Sequence, residues 1–269
     1  MRKITGLLIT ILVLAFGFPA AAQDNGNIDP QALIQRILAV EQEQRSEIHD
    51  IVLDAEYIEG EEKEDGFKEK VRFTKKIYLK ILPDTTLFRE DYLAYYKDGK
   101  LQNDDDRKKE EADRKEKKKK RRNMDISYSM LKPFHPESAE LYEIAYQGLS
   151  DDKIESYTCH HFRVTAREEI EGLINGDFYF EAGTFHLVRV DFSPAKLVNK
   201  TMFKFKELNL RLFYGPTPEG YWLPREFDIK GKAKAAFFFG VDISGRETYR
   251  NPIINRGIDD KIFEVNDDQ

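Results

Sequence analysis

The sequence predicts a mainly β (α+β) fold: a meander of antiparallel strands with one wet face, and one amphipathic N-terminal helix laid on the other. Three observations predict it. Apolar and charged residues alternate over long stretches, as in "FKEKVRFTKKIYLKIL". Short turns separate these stretches with no helical period between them, which is how consecutive strands come to pair antiparallel. An apolar stripe at helical spacing precedes the first alternating run.

The elements follow in order. Arg2 and Lys3, an apolar stretch from Ile4 to Phe18, and Ala20-Ala21-Ala22 are the three parts of a cleavable secretory signal. The stretch falls short of the roughly 20 apolar residues that a membrane span needs. No cysteine stands immediately after the cleavage site, where Gln23 is found, which argues against a lipid anchor. The expectation is a periplasmic protein cleaved after Ala22, with residues 23–29 as a disordered leader. Losing Arg2 and Lys3 moves the formal charge from −6 to −8. A single cysteine, Cys159, excludes an intramolecular disulfide framework.

Asp29 offers an N-cap oxygen, with Pro30 at the first helical position. Leu33, Ile34, Ile37, Leu38 and Glu41 then recur at helical spacing, a narrow apolar stripe that runs out near Glu47. From Ile51 the period is two. Phe67, Val71, Phe73, Ile77, Leu79 and Ile81 share one strand face. Pro83-Asp84 turns the chain, and "TTLFREDYLAYYKDGK" returns to a second turn at Asp98-Gly99. "LYEIAYQG" and "ESYTCHHFRVTA" resume the strand pattern, and "GDFYFEAGTFHLVRVDFSP" is a hairpin about Ala182-Gly183. In the next strand the apolar phase is odd at Phe203 and Phe205, then even at Leu208, Leu210 and Leu212. That slip of one predicts a β-bulge near Lys206-Glu207. "GYWLPREFDIKG" and "AAFFFGVDISGRETYRN" add two more strands. One domain is expected over 30–264, with 265–269 as a tail.

Residues 103–125 form a charged insertion in that domain. Between Asp104 and Arg122 stand eleven Lys/Arg and seven Asp/Glu, a local net of +4. The composition suits a solvated helix with i,i+4 pairs such as Glu110–Arg114, or a disordered segment. A polybasic contact with an anionic membrane surface is the functional reading. Nucleic acid is not an expected partner, because no aromatic residues interleave the charges for base stacking.

The one cluster with the look of a site is "TCHHF". On a strand Cys159 and His161 share a face and His160 takes the other, two soft ligands where a zinc site needs three or four. Strand neighbours also point apart, which disfavours a Cys–His nucleophile pair. A buried thiol beside a satisfied histidine is the expectation, with no metal and no cofactor. No G-x-S-x-G, P-loop, H-E-x-x-H or G-x-G-x-x-G occurs, and nothing asks for an enzyme.

The segments "KILPDTTLFRED", "AYYKDGK", "GDFYFEAGTFHLVRVDF", "GYWLPREFDI" and "YRNPIINRGIDDKIF" together resemble the LolA/LolB-type superfamily of outer-membrane lipoprotein-sorting proteins. The resemblance covers roughly Ile28 to Phe263. It implies an unclosed β half-barrel of about eleven antiparallel strands whose concave face is capped by helices and takes acyl chains. The family's latch arginine stands immediately before the proline of the strand–Pro–strand turn; here that position is Leu82. The charged insertion is not part of the basic family pattern.

On these grounds the sequence reads as an exported carrier or sensor that binds a lipid or lipidated protein and touches membrane surfaces transiently. Phe73, Ile77, Leu79, Phe180, Val190, Phe203, Phe205 and Phe239, all on apolar strand phases, are the expected cavity wall. The competing reading is an interaction module with a solid core and a charged arm.

Overall fold

A computed structural model describes residues 29–63, 66–82, 85–120, 130–197, 203–235 and 239–264. The expected export signal, residues 23–28 of the expected leader, the Pro83-Asp84 turn, residues 121–125 of the charged insertion and the 265–269 tail lie outside them. Helix α1 spans Pro30–Glu47, and the Asp29 side chain caps it by accepting a hydrogen bond from the Gln31 backbone N–H at 2.9 Å. Its buried residues are Leu33, Ile34 and Ile37, the stripe read from the sequence.

Eleven strands follow: β1 (Asp50–Lys63), β2 (Gly66–Ile81), β3 (Thr86–Lys97), β4 (Lys100–Leu101), β5 (Tyr142–Leu149), β6 (Cys159–Ala166), β7 (Ile174–Glu181), β8 (Leu187–Pro194), β9 (Phe203–Pro216), β10 (Trp222–Ala235) and β11 (Phe239–Ile254). Helix α2 (Asp104–Lys120) lies between β4 and β5. The strands form one antiparallel sheet in the order β4-β3-β2-β1-β11-β10-β9-β8-β7-β6-β5. Its first and last strands do not pair with each other, so the barrel is unclosed. β1 pairs with β11 and thereby joins the two halves of the meander.

Curling is built into the backbone. Between β9 and β10 the register slips from Lys232↔Glu207 to Ala233↔Phe205, leaving Lys206 as the extra residue where the phase of the sequence slips. Gly176 and Gly231 sit where neighbouring strands approach closely. A Cβ at Gly176 would come within 2.7 Å of the Asp191 carbonyl, and one at Gly231 within 2.7 Å of the Glu207 carbonyl. A side chain there would force adjacent strands apart.

The outer face is held by a row of charges in direct cross-strand register: Arg163, Asp177, Asp191, Arg211, Asp228 and Arg246 on β6 to β11. Arg163 grips Asp177 through two nitrogens at 2.9 and 3.0 Å, and Arg246 donates to Asp228 at 2.7 Å. Asp177 and Asp191 oppose each other, and each is neutralised from its outer side, by Arg163 and Arg211. Cross-strand pairs of this kind each contribute a few tenths of a kcal/mol to about 1 kcal/mol.

Candidate functional groove

The concave face is where the apolar phases of all the strands meet, and it divides into three zones. The first lies under α1. Phe162, Val164, Phe178, Phe180, Leu187 and Val190 pack against Leu33, Ile34 and Ile37 of the helix. A short 3-10 turn at Lys132–Phe134 drives Phe134 into the same cluster. Its ring meets Phe162, Phe178 and Phe180 edge-on, with centroids at 5.7, 5.2 and 5.5 Å. Phe180 and Val190, two of the expected wall residues, are fully buried here. A cavity of about 110 Å³ remains between α1 and the sheet, with Glu41, Gln44, His186, Tyr214 and Trp222 in its lining.

The second zone lies at the other rim. Phe73 stacks on Tyr95 at 4.8 Å and meets Tyr92 edge-on at 5.2 Å. Helix α2 covers these rings with charged side chains. Arg107 donates to the Tyr92 carbonyl at 2.5 Å, and the Arg114 guanidinium lies 4.5 Å above the Phe73 ring and 5.5 Å from that of Tyr57. The Glu110–Arg114 pair expected from the sequence forms at 3.0 Å. The helix is therefore not solvated all round: Arg107, Glu110, Glu111 and Arg114 make an inner face that is half-buried. Beside it Lys75 is buried between Glu90 at 2.7 Å and Glu247 at 2.6 Å. Burial works against the Lys75 ammonium, but Glu247 and Glu90 more than offset it, and its pKa stands above the ordinary lysine value. Burial likewise pushes the Tyr92 phenol up to about 12. Ile77 and Leu79 continue along β2 into a separate cluster with Ile51 and Leu53.

Between these covers lies the third zone, an apolar floor. Cross-strand register sets Leu210 opposite Ile229 and Leu208 opposite Gly231, then Gly231 opposite Ile243 and Ile229 opposite Gly245. With Phe227, which partners Leu212, they share the concave side. Leu208, Leu210, Phe227, Ile229 and Ile243 are half-buried, and among the described residues they join none of the packed clusters. Phe205, also half-buried, lies past the bulge in the same floor. Phe203 and Phe239 align through Ala235 in the next row, with side chains outside the described residues. Of the eight expected wall residues, Phe180 and Val190 lie in the first zone, Phe73 in the second, Phe205 in the floor, and Ile77 and Leu79 in the separate cluster, while the side chains of Phe203 and Phe239 lie outside the described residues. Of the floor residues, Leu208 and Leu210 belong to the strand phase read from the sequence, whereas Phe227, Ile229 and Ile243 are not singled out there.

A depression of about 690 Å³ lies elsewhere. It lies on the outer face over the charged row, lined by Arg163, Asp177, Asp191, Arg211, Asp228 and Lys230. Its arginines and aspartates pair with one another or with neighbouring charges, and Val164, Phe192 and Leu210 also line it.

Cys159 and His161 share the outer face and His160 the inner one. Cys159 is buried beside Val188 and Trp222. His160 meets the Tyr146 hydroxyl at 2.9 Å, and His161 meets Asp177 at 2.7 Å. Among the described residues no three His, Cys, Asp or Glu side chains gather to hold a metal. Burial, reinforced by Glu181, pushes the Cys159 thiol from 9.0 up to about 12. Above pH 9 the unfolded chain releases this proton while the folded chain keeps it, so the contribution is lost as pH rises from 9 towards 12. Urea midpoints should therefore fall with pH across this window, and less steeply in Cys159→Ala. Equal slopes would show that the thiol does not carry the effect.

No family model matches the chain, and no curated protein matches it. Solved structures similar to it include an outer membrane lipoprotein-sorting protein domain from Vibrio parahaemolyticus, at TM-score 0.43 and 11% identity over 86% of this chain and 97% of that one. A DUF1329 family protein from Desulfovibrio piger aligns at TM-score 0.45 and 12% identity, over 88% and 98%. A LolA superfamily protein from Nitrosomonas europaea aligns at TM-score 0.38 and 9% identity, over 89% and 99%. The half-barrel described above rests on this chain's own strand order and register.

Proposed function

We propose that this protein binds a hydrophobic ligand, a lipid or the acyl chains of a lipidated protein, along the concave floor of its half-barrel, as an exported carrier or sensor of the cell envelope. The observation that carries the reading is the floor itself. Leu208, Leu210, Phe227, Ile229 and Ile243 make a continuous half-buried apolar surface, and the two helical covers pack on either side of it. Three strands at about 4.8 Å spacing give a strip roughly 10 Å wide, enough for an extended acyl chain. Each CH₂ buried there contributes about 0.8 kcal/mol, so a long chain gains useful affinity without a deep pocket. The export signal at residues 1–22 and the sequence resemblance support placing this activity in the periplasm. No helix among the described residues is long and apolar enough to cross a membrane.

The test is a fluorescent fatty acid or phospholipid titrated into wild type and Ile229→Glu. Wild type should bind it. The charged variant should bind at least tenfold more weakly, by about the free energy of two buried CH₂ groups, while melting within a few degrees of wild type. Equal binding by the two proteins would remove the floor from the account.

A further inference from the structure

On the concave face of the sheet, Lys75 pairs with Glu90 and Glu247, and Glu59 shares that face. The second positive charge comes from outside the sheet. It is Arg114 of α2, 3.5 Å from Glu59, with its guanidinium over the faces of Phe73 and Tyr57. Both rings and the acids are fixed by the sheet: Phe73 is 1% exposed and clamped by Tyr92 and Tyr95, and the Tyr57 hydroxyl donates to Glu59 at 3.0 Å. The helix that delivers the cation is held differently. Among the described side chains its inner face is Arg107, Glu110, Glu111 and Arg114, none of them apolar, and they reach the sheet through the Tyr92 carbonyl, the Glu59 carboxylate and the two rings, polar contacts that salt screens.

We propose that Arg114 is a self-supplied occupant of an organic-cation site, and that the site's external ligand is an ammonium group, methylated or primary. Ring faces with an acidic rim are the chemistry that recognises such cations. With Arg114 withdrawn, two ring faces and the Glu59 carboxylate beside them remain. The site also abuts the apolar floor: a Cβ at Gly245 would lie 3.0 Å from the Ile229 side chain and 3.2 Å from the Tyr57 hydroxyl. An amphiphile with an ammonium head could therefore place its head over Phe73 and its tail along β9 to β11. The tail half of this inference rests on the function proposed above, whereas the cation half does not.

The experiment keeps the halves apart. Tetramethylammonium chloride and free choline are titrated against wild type and Arg114→Ala by calorimetry, with sodium chloride at matched ionic strength as control. Removing the internal competitor should tighten binding of both cations by about tenfold, the size of a desolvated cation–ring contact. Adding Phe73→Leu to Arg114→Ala should abolish the gain in a protein whose circular dichroism shows it folded. Cation binding no stronger in Arg114→Ala than in wild type, or unchanged by Phe73→Leu, overturns the site. Micelles of a phosphocholine lipid and of a phosphoglycerol lipid then separate the sources. Preference for the phosphocholine lipid supports a lipid head as the ligand. Binding of free choline without that preference retains the cation site and overturns its coupling to the floor.

Discussion

Replacing Lys75 with methionine should destabilise the protein by about 3–5 kcal/mol, the range for removing one partner of a buried ion pair. The ammonium lies between Glu90 and Glu247, all three on the concave face, with Lys75 and Glu90 buried and Glu247 partly so. Without it two carboxylates are left facing each other in a low-dielectric setting, beside Tyr92 and Tyr249, whose phenols are themselves held neutral by burial. The loss should be largest at neutral pH and shrink in acid, where the repulsion between the two carboxylates is relieved. Adding Glu90→Gln to Lys75→Met should restore part of it. Urea denaturation at pH 7 and pH 4 measures both effects. A loss under 1 kcal/mol at neutral pH would mean that water reaches the cluster.

The second large effect is Phe134→Ala, expected to cost about 3–5 kcal/mol as a buried phenylalanine truncated to alanine. Phe134 belongs to no strand or long helix, but its ring closes the cluster of Phe162, Phe178 and Phe180 on the side where α1 lies. Thermal or urea unfolding reads the change. A cost near that of a surface substitution would show that the Lys132–Phe134 turn does not close this zone.

Much of the fold was legible because it depends on local periodicity. The cap at Asp29, the stripe of α1, the faces of Cys159, His160 and His161, and the bulge at Lys206 each follow from spacing alone. The division of the concave face was not legible, for a physical reason. Alternation says that Phe180 and Ile229 point to the same side of the sheet. It cannot say that a helix and Phe134 press on the first and leave the second half open, because that is decided by where distant segments land. Likewise α2 carries no apolar stripe, so its docked face has no hydrophobic signature; guanidinium groups on rings do the work of leucines. One signal was present. Lys75 interrupts the apolar phase between Phe73 and Ile77, and a charge in that position has to find buried partners.

The open floor is the central claim, and mass spectrometry of the organic extract from natively purified protein tests it most directly. Wild type should release an amphiphile with a long hydrocarbon chain in near-stoichiometric amount, and Ile229→Glu, purified alongside and equally folded, should release little or none. A wild-type extract free of any such molecule, from protein that also fails to take up a fluorescent acyl probe, would contradict the account and mark the half-barrel as a solid scaffold.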